Sequence, residues 1–476
     1  MSVRVLARNA LSLLSANVIT NVVGFAVNIL LVRHLGVERL GRYTYVTTYA
    51  ALFGIVSSFG LYLVLARDVA GRPAEADIQL GSVLRLQGFL SPLALALTAG
   101  TALLFHSLPD AMLIALAGVG VVLSSVGTVY GAVVTGQERI HLNAMVSAGM
   151  AVLWALFVLG LVASSLGVTA LTGLFVVHKL ANALVLRRVC RRACGVTPRH
   201  NLAGLRVRAM LDAAMPFALV LVLNDLYWNV GMILLGRLKG IDAVGTFSAA
   251  FRVISVLVAL VGTFSGVLYP RFSHLYAADL KAFMALVGLT RKYSLAIGIP
   301  LGLALSFLSH PLVGLLFGRE FSAAGGSLQL LGWFITLFCL YSPLSYAMVA
   351  MQAERMWLVL LAAATAVLLG GSLLLVPVMG HLGLAASFLA SGVLLVVAVP
   401  LAIRAKGIPV SPTVADLKTV GACGAMGVLL WLFQSAPALA LAAAIVAYVA
   451  ILHLAGFLTA AERLSLRAAL LMPRKR

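Results

Sequence analysis

LLVRHLGVERLGRYT, residues 30–44, returns 204 positions later as LLGRLKGIDAVGTFS, residues 234–248. Arg33 falls on Arg237, Gly36 on Gly240 and Gly41 on Gly245, with Glu38 on Asp242 and Tyr43 on Phe247. The same spacing carries Asn21 to Asp225 and Arg67 to Arg271. A second pair, YGAVVTGQERIHL (130–142) and YAMVAMQAERMWL (346–358), repeats at a spacing of 216, setting Glu138 over Glu354, Arg139 over Arg355 and, further on, Gly167 over Gly383. An insertion of twelve residues between the blocks accounts for the difference. Half-molecule repeats of this kind mark transporters, whose sites lie between the repeats near the bilayer midplane.

Composition sets the solvent. Hydrophobic residues make up 62% of the 476, charged ones 10%, and mean hydropathy is +1.09; soluble domains hold about 45–50% apolar and 25% charged residues. Segments of about 20 apolar residues can span a bilayer as helices. Fourteen are expected, near 10–33, 43–66, 82–106, 110–134, 143–166, 168–186, 212–236, 243–269, 287–309, 326–350, 356–378, 382–404, 416–435 and 438–458. The count falls to twelve or thirteen if the Gly-rich junctions around spans 5 and 6, or 13 and 14, run on. The expected fold is an all-α polytopic membrane protein. Two six-helix repeats, 1–203 and 204–410, surround a central cleft, and 411–476 adds two uncopied helices and a basic amphipathic tail that can lie on the membrane surface.

A net charge of +20 would suggest nucleic acid in a soluble protein. Here it follows the positive-inside rule. With the N-terminus cytoplasmic, all but seven of the 34 Lys and Arg fall at cytoplasmic ends and loops; the exceptions are Arg33, Arg39, Arg42, Arg237, Lys239, Arg319 and, within a span, Arg252. The densest cluster runs from Arg187 to Arg208 between the halves, beside anionic lipid. Outer loops are short and leave no room for an external catalytic domain. The first span carries Asn17, Asn21 and Asn28 with no small-residue cleavage site after it, so it reads as retained.

The four cysteines give no disulfide framework, and Cys190, Cys194 and His200 lack a fourth metal ligand. Glu138 has no second carboxylate or His placed to work with it. We find no phosphate loop and no nucleophile beside a base, and expect no enzyme, cofactor or metal.

The polar residues inside spans carry the functional reading. At 100° per residue, Asn17, Asn21, Gly24 and Asn28 fall within about 60° on span 1. Span 7 repeats this in part with Asp225, Asn229 and Gly236, although Met232 stands where the first half has Asn28. Amides this deep face protein or a wet cavity. Arg252 on span 8 lies about ten residues, ~15 Å, from the repeated turn, and Asp225 is about as deep. A charge at a helix centre costs about 2.5–3.5 kcal/mol on the insertion scale. Two readings stand: a structural Asp225–Arg252 ion pair, or a pathway in which that pair is made and broken. The first half has Asn21 and Thr48 at the matching places, so the charge is confined to the second lobe. Arg252, Asn21, Asn28, Asn17, Asn229 and Thr48 are therefore the candidate cavity residues, and Asp225 with Asn224 the candidate ion site. Arg85, Lys179 and Arg291 are candidates for a basic cytoplasmic mouth, against simple snorkelling.

LGVERLGRYTY (35–45), the FG of Phe59 and Gly60, ARDVA (66–70), the segments Pro216–Gly236 and Gly245–Tyr269, and LLFGREF (315–321) together resemble bacterial polysaccharide biosynthesis membrane proteins of the O-antigen flippase type, over roughly residues 8–404. The resemblance implies the fold of the multidrug/oligosaccharidyl-lipid/polysaccharide exporter superfamily, with alternating access. It also implies a polyprenyl-diphosphate-linked glycan as substrate, in the bacterial cytoplasmic membrane. In the related lipid II flippases, cavity arginines come from helices 1, 2 and 8; here only helix 8 keeps one, Arg252. The expected partners are the lipid-linked glycan, membrane lipids and other polysaccharide-assembly membrane proteins, with the chain itself a monomer. The rival within the superfamily is a cation-coupled multidrug antiporter, which would want an acidic or aromatic cavity. A glycan polymerase would want a sizeable outer loop. A bare scaffold leaves the buried charges unexplained.

Overall fold

The computed structural model describes the backbone of residues 3–164, 166–199, 207–410, 413–433 and 437–457, with side chains throughout these ranges except at 3–22, 207, 209, 437 and 438. These residues form fourteen α-helices: α1 Val3–Ser58, α2 Leu61–Gly71, α3 Ala76–Phe105, α4 Leu108–Gly136, α5 Ile140–Ser164, α6 Val168–Arg192, α7 Val207–Lys239, α8 Ile241–Ala278, α9 Leu280–Phe317, α10 Ala324–Ala350, α11 Glu354–Met379, α12 His381–Ala405, α13 Val414–Leu432 and α14 Pro437–Leu454. Eleven are long and apolar enough to cross a membrane, and the bent α1–α2 pair makes twelve. This is a multi-pass membrane protein.

The helices do not match the expected spans one for one. α1 covers the first span and most of the second, broken at Gly36 (φ 71°, ψ 179°). The second span bends again by 41° before α2, where Phe59 and Gly60 both have positive φ. Much of the first span falls on residues whose side chains are not described, and the last appears as the shorter apolar stretch Leu439–Leu454 of α14. The tail beyond residue 457 and His200 lie outside the described residues.

The repeat is visible in the backbone. Gly240, between α7 and α8, has φ 85°, matching Gly36 at the same place in the first copy. Only glycine enters this left-handed region without a Cβ penalty, so the aligned glycines end one helix and start the next. The second block needs a correction. The left-handed residues of the two short turns are Glu138 (φ 58°) and Gln352 (φ 56°). Their hydrogen bonds run in parallel: Glu138 N to Thr135 O and Arg139 N to Val134 O, against Gln352 N to Val349 O and Ala353 N to Met348 O. The spacing here is therefore 214, not 216. Glu138 aligns with Gln352, and the insertion shrinks from twelve residues to ten.

The backbone divides into two compact units. One holds Met1–Arg252, Leu316–Phe321 and Leu361–Ser387. Its core joins α2, α3, α4 and α6 through Leu65, Leu80, Val133 and Cys190. The segment after α6 is strapped across this core: Asp77 Oδ1 accepts from Thr197 N (2.7 Å), Asp77 O from Arg199 N (3.0 Å), and Gln137 reaches Cys194 O. Burial raises the Cys194 thiol above its ordinary range, which suits a packing group better than a ligand. Gly81 permits the strap, since a Cβ there would overlap the backbone of Arg199. Gly81→Ala should release the strap, seen as faster trypsin cleavage between Arg192 and Arg199 with α3 still folded.

The second unit holds Val253–Leu315, Ser322–Leu360 and Phe388–Arg476, with α10 as its most enclosed helix. The buried hydroxyl of Thr336 donates to Gly298 O (2.8 Å). α13 and α14 pack together through Cys423, Met426 and Ala444, and rest on Ile299 and Leu303 of α9. Three polar contacts fix them there. Arg291 pairs with Asp416 at 2.5 Å, Tyr448 Oη donates to Ala296 O at 2.7 Å, and the Lys292 ammonium lies 4.5 Å from the Phe457 ring centre. Asp416 also closes the capping box of α13 by accepting from Thr413 N.

Candidate functional site

The two copies of the repeated turn meet. A Cβ on Gly41 would overlap the carbonyl of Ile241, and one on Gly245 would overlap the carbonyl of Val37. Ile241 and Val37 are themselves partners in the repeat, so the contact is reciprocal about a pseudo-twofold. The arginines are exchanged in the same way. Arg33 Nε donates to Leu316 O in the last turn of α9, and Arg237 donates to Phe105 O at the end of α3, each at 2.7 Å. Both satisfy carbonyls that a helix C-terminus leaves orphaned and carry positive charge to the negative end of its dipole. Glu320 adds the converse, accepting from Val37 N (3.0 Å) at the start of the helix segment after Gly36. Arg42 pairs with Asp110 at 2.7 Å. His106, just past α3, lies 2.8 Å from Tyr45 Oη; burial, with Arg237 adding to it, lowers its pKa.

Deeper in, Arg252 of α8 reaches the polar stripe of α1. Arg252 donates to Asn28 Oδ1, and Asn28 in turn donates to Gly24 O at 2.9 Å. Asn28 stands eight residues before Gly36 and Arg252 twelve after Gly240, so they lie about 12 and 18 Å from the turns along their helices. Arg252 is partly buried, and the buried Tyr43 is within its electrostatic reach. Asp225 takes its hydrogen bond from Asn229 (2.8 Å) rather than from Arg252. In this conformation each charged side chain is therefore held by an asparagine.

The remaining candidates separate. Thr48 is buried on α1, and Asn224 is exposed beside Asp225. Lys179 sits 5.4 Å from the Phe175 ring centre, and Arg85 is partly buried on α3. Arg291 is placed in the ion pair that docks α13. Asn17 and Asn21 lie outside the described side chains. Among the described residues no group of three or more His, Cys, Asp or Glu could hold a metal. Sequence reasoning missed Glu320 and the Gly41–Gly245 contact; the glycines stood in the alignment, but nothing in it says that aligned residues touch.

Glycine turns that cross in reciprocal contact, with the Arg252 guanidinium on the Asn28 amide behind them, sit in a helical membrane fold built on an internal repeat. The sequence pattern of the polysaccharide biosynthesis protein family matches residues 6–276, and the chain belongs to that family. No curated protein matches it. Its fold is similar to that of the lipid II flippase MurJ in an inward closed conformation, with a TM-score of 0.79 at 13% identity over 94% of this chain and 99% of that one. It is also similar to an inward-facing multidrug resistance MATE family transporter (TM-score 0.58, 16% identity, 82% and 96% covered). The Vibrio cholerae MATE transporter VcmN is a third likeness (0.58, 15%, 85% and 98%).

Proposed function

We propose that the chain is a flippase that carries a polyprenyl-diphosphate-linked oligosaccharide across the bacterial cytoplasmic membrane for cell-surface polysaccharide assembly. In this reading residues 1–203 and 204–410 are the two lobes, 411–476 is an appendage, both termini are cytoplasmic and the repeated turns lie outside. The protein works as a monomer among other assembly proteins and catalyses no covalent step. The observation that carries the proposal is the Arg252–Asn28 contact. A guanidinium at mid-helix depth, beside the polar stripe of α1, is the planar fork of donors that suits the oxygens of a diphosphate. Hydrogen bonds to charged groups are worth about 1.5–3 kcal/mol, roughly tenfold to a hundredfold in binding. Asp225 is the candidate proton or sodium site, with Asn224 beside it.

Arg252→Ala should lower glycan export at least tenfold with insertion unchanged, and Asp225→Asn should remove its dependence on the ion gradient. Both variants exporting at wild-type rates would reject the assignment. Drug resistance on expression, with no lipid-linked glycan accumulating in a deletion strain, would favour the multidrug antiporter instead.

A further inference from the structure

A polar cavity lies in the unit that holds the first half, and neither Arg252 nor Asp225 lines it. Between α2, α4, α5 and α6 a cleft of about 360 Å³ is lined by Tyr62, Thr128, Thr135, Asn143, Ser147 and Asn182, with short aliphatic side chains between them. That size is within the range of small-molecule sites. Thr128 is eight residues from the end of α4, so the cleft reaches about 12 Å into the helix layer. Each polar group is neutral, and no charged residue lines the cleft among the described residues. At this depth so many uncovered hydroxyls and amides are stable against water or a polar ligand, not against acyl chains.

The hydrogen bonds already made in the cleft set what a ligand must bring. The Asn143 amide nitrogen is held by Gly131 O (2.9 Å) and Thr135 Oγ1 (3.0 Å). The Thr128 and Thr135 hydroxyls donate to Ser124 O (3.0 Å) and Gly131 O (3.1 Å), which leaves the oxygens of these two exposed residues to the cleft as acceptors. A ligand for this cleft therefore carries hydroxyl or amide donors, carries no net charge, and has apolar C–H faces for the Tyr62 ring, Leu63 and Val146. An anion finds no counter-charge here and an organic cation finds no carboxylate.

We propose that the cleft binds a sugar ring of the transported glycan, so that neutral sugar and charged diphosphate are recognised at separate places. This rests on the flippase reading above. The test uses the full chain in lipid nanodiscs and three probes: a polyprenyl diphosphate without sugar, and the same lipid carrying one N-acetylglucosamine or one glucose. Wild type should bind at least one sugar-bearing probe about tenfold more tightly than the bare lipid. Asn143→Leu with Asn182→Leu should remove that difference and leave the bare lipid's affinity unchanged; Thr135→Val with Ser147→Ala does the same more mildly if the first pair folds poorly. Equal binding of all three probes to wild type, or a variant that weakens bare and sugar-bearing lipid alike, overturns the sugar site and leaves the flippase reading standing. Failure of every probe to bind wild type overturns both.

Discussion

Replacing Gly41 and Gly245 together by alanine should hold the turn end of the protein apart. Each new Cβ meets a backbone carbonyl of the opposite repeat, and a backbone cannot turn aside as a long side chain can. Overpacking of this kind costs about 1–3 kcal/mol per site, so the pair shifts the balance between crossed and separated turns by a factor of roughly 30 to 20,000 at 1.4 kcal/mol per tenfold. Arg39 and Lys239 are exposed on the two turns and accept spin labels as cysteines in a cysteine-free background. The distance between them should lengthen in the double variant, and on the flippase reading proposed above export should fall with it. Unchanged label distances beside lost export would mean that the glycines act in some other way.

The second large effect belongs to Arg291 and Asp416. Both side chains are only 12% exposed, and Asp416 also holds the N-terminus of α13. Removing one partner of a buried ion pair leaves the other charge uncompensated and costs about 3–5 kcal/mol. Asp416→Ala should therefore loosen α13 and α14 from α9, read as a large fall in thermal stability and proteolysis in the 406–413 connection. The apolar double variant Arg291→Met with Asp416→Leu should recover most of that loss, because it removes both desolvation costs. A single variant as stable as wild type would show that Tyr448, Lys292 and the apolar contacts suffice for docking.

Hydropathy and the internal repeat made the helical class legible, because lipid as solvent forces long apolar runs. Arg252 was found the same way, as the lone basic residue inside a span. Its partner was not: Asn28 was visible as part of a polar stripe, but pairing it with Arg252 requires knowing that α1 and α8 meet 224 residues apart. Arg291 was grouped with a cytoplasmic mouth because its counter-charge comes 125 residues later, on a helix with no copy in the first half. The alignment slipped by two residues around Glu138 for a local reason. The left-handed position there is filled by Glu and Gln instead of glycine, so the sequence carried no mark of where the turn sits.

The exchanged arginines bear on synthesis as well as on transport. Phe105 receives its guanidinium from a residue 132 positions later, and Arg33 waits 283 positions for Leu316. At roughly 5–20 residues per second, the nascent chain would hold α3 without that donor for about 7–26 s, and Arg33 without its acceptor for about 14–57 s. A ribosome-bound intermediate of the first half alone would therefore be immature at its turn end, and would depend on water or on the insertion machinery to satisfy those groups until the second copy emerges.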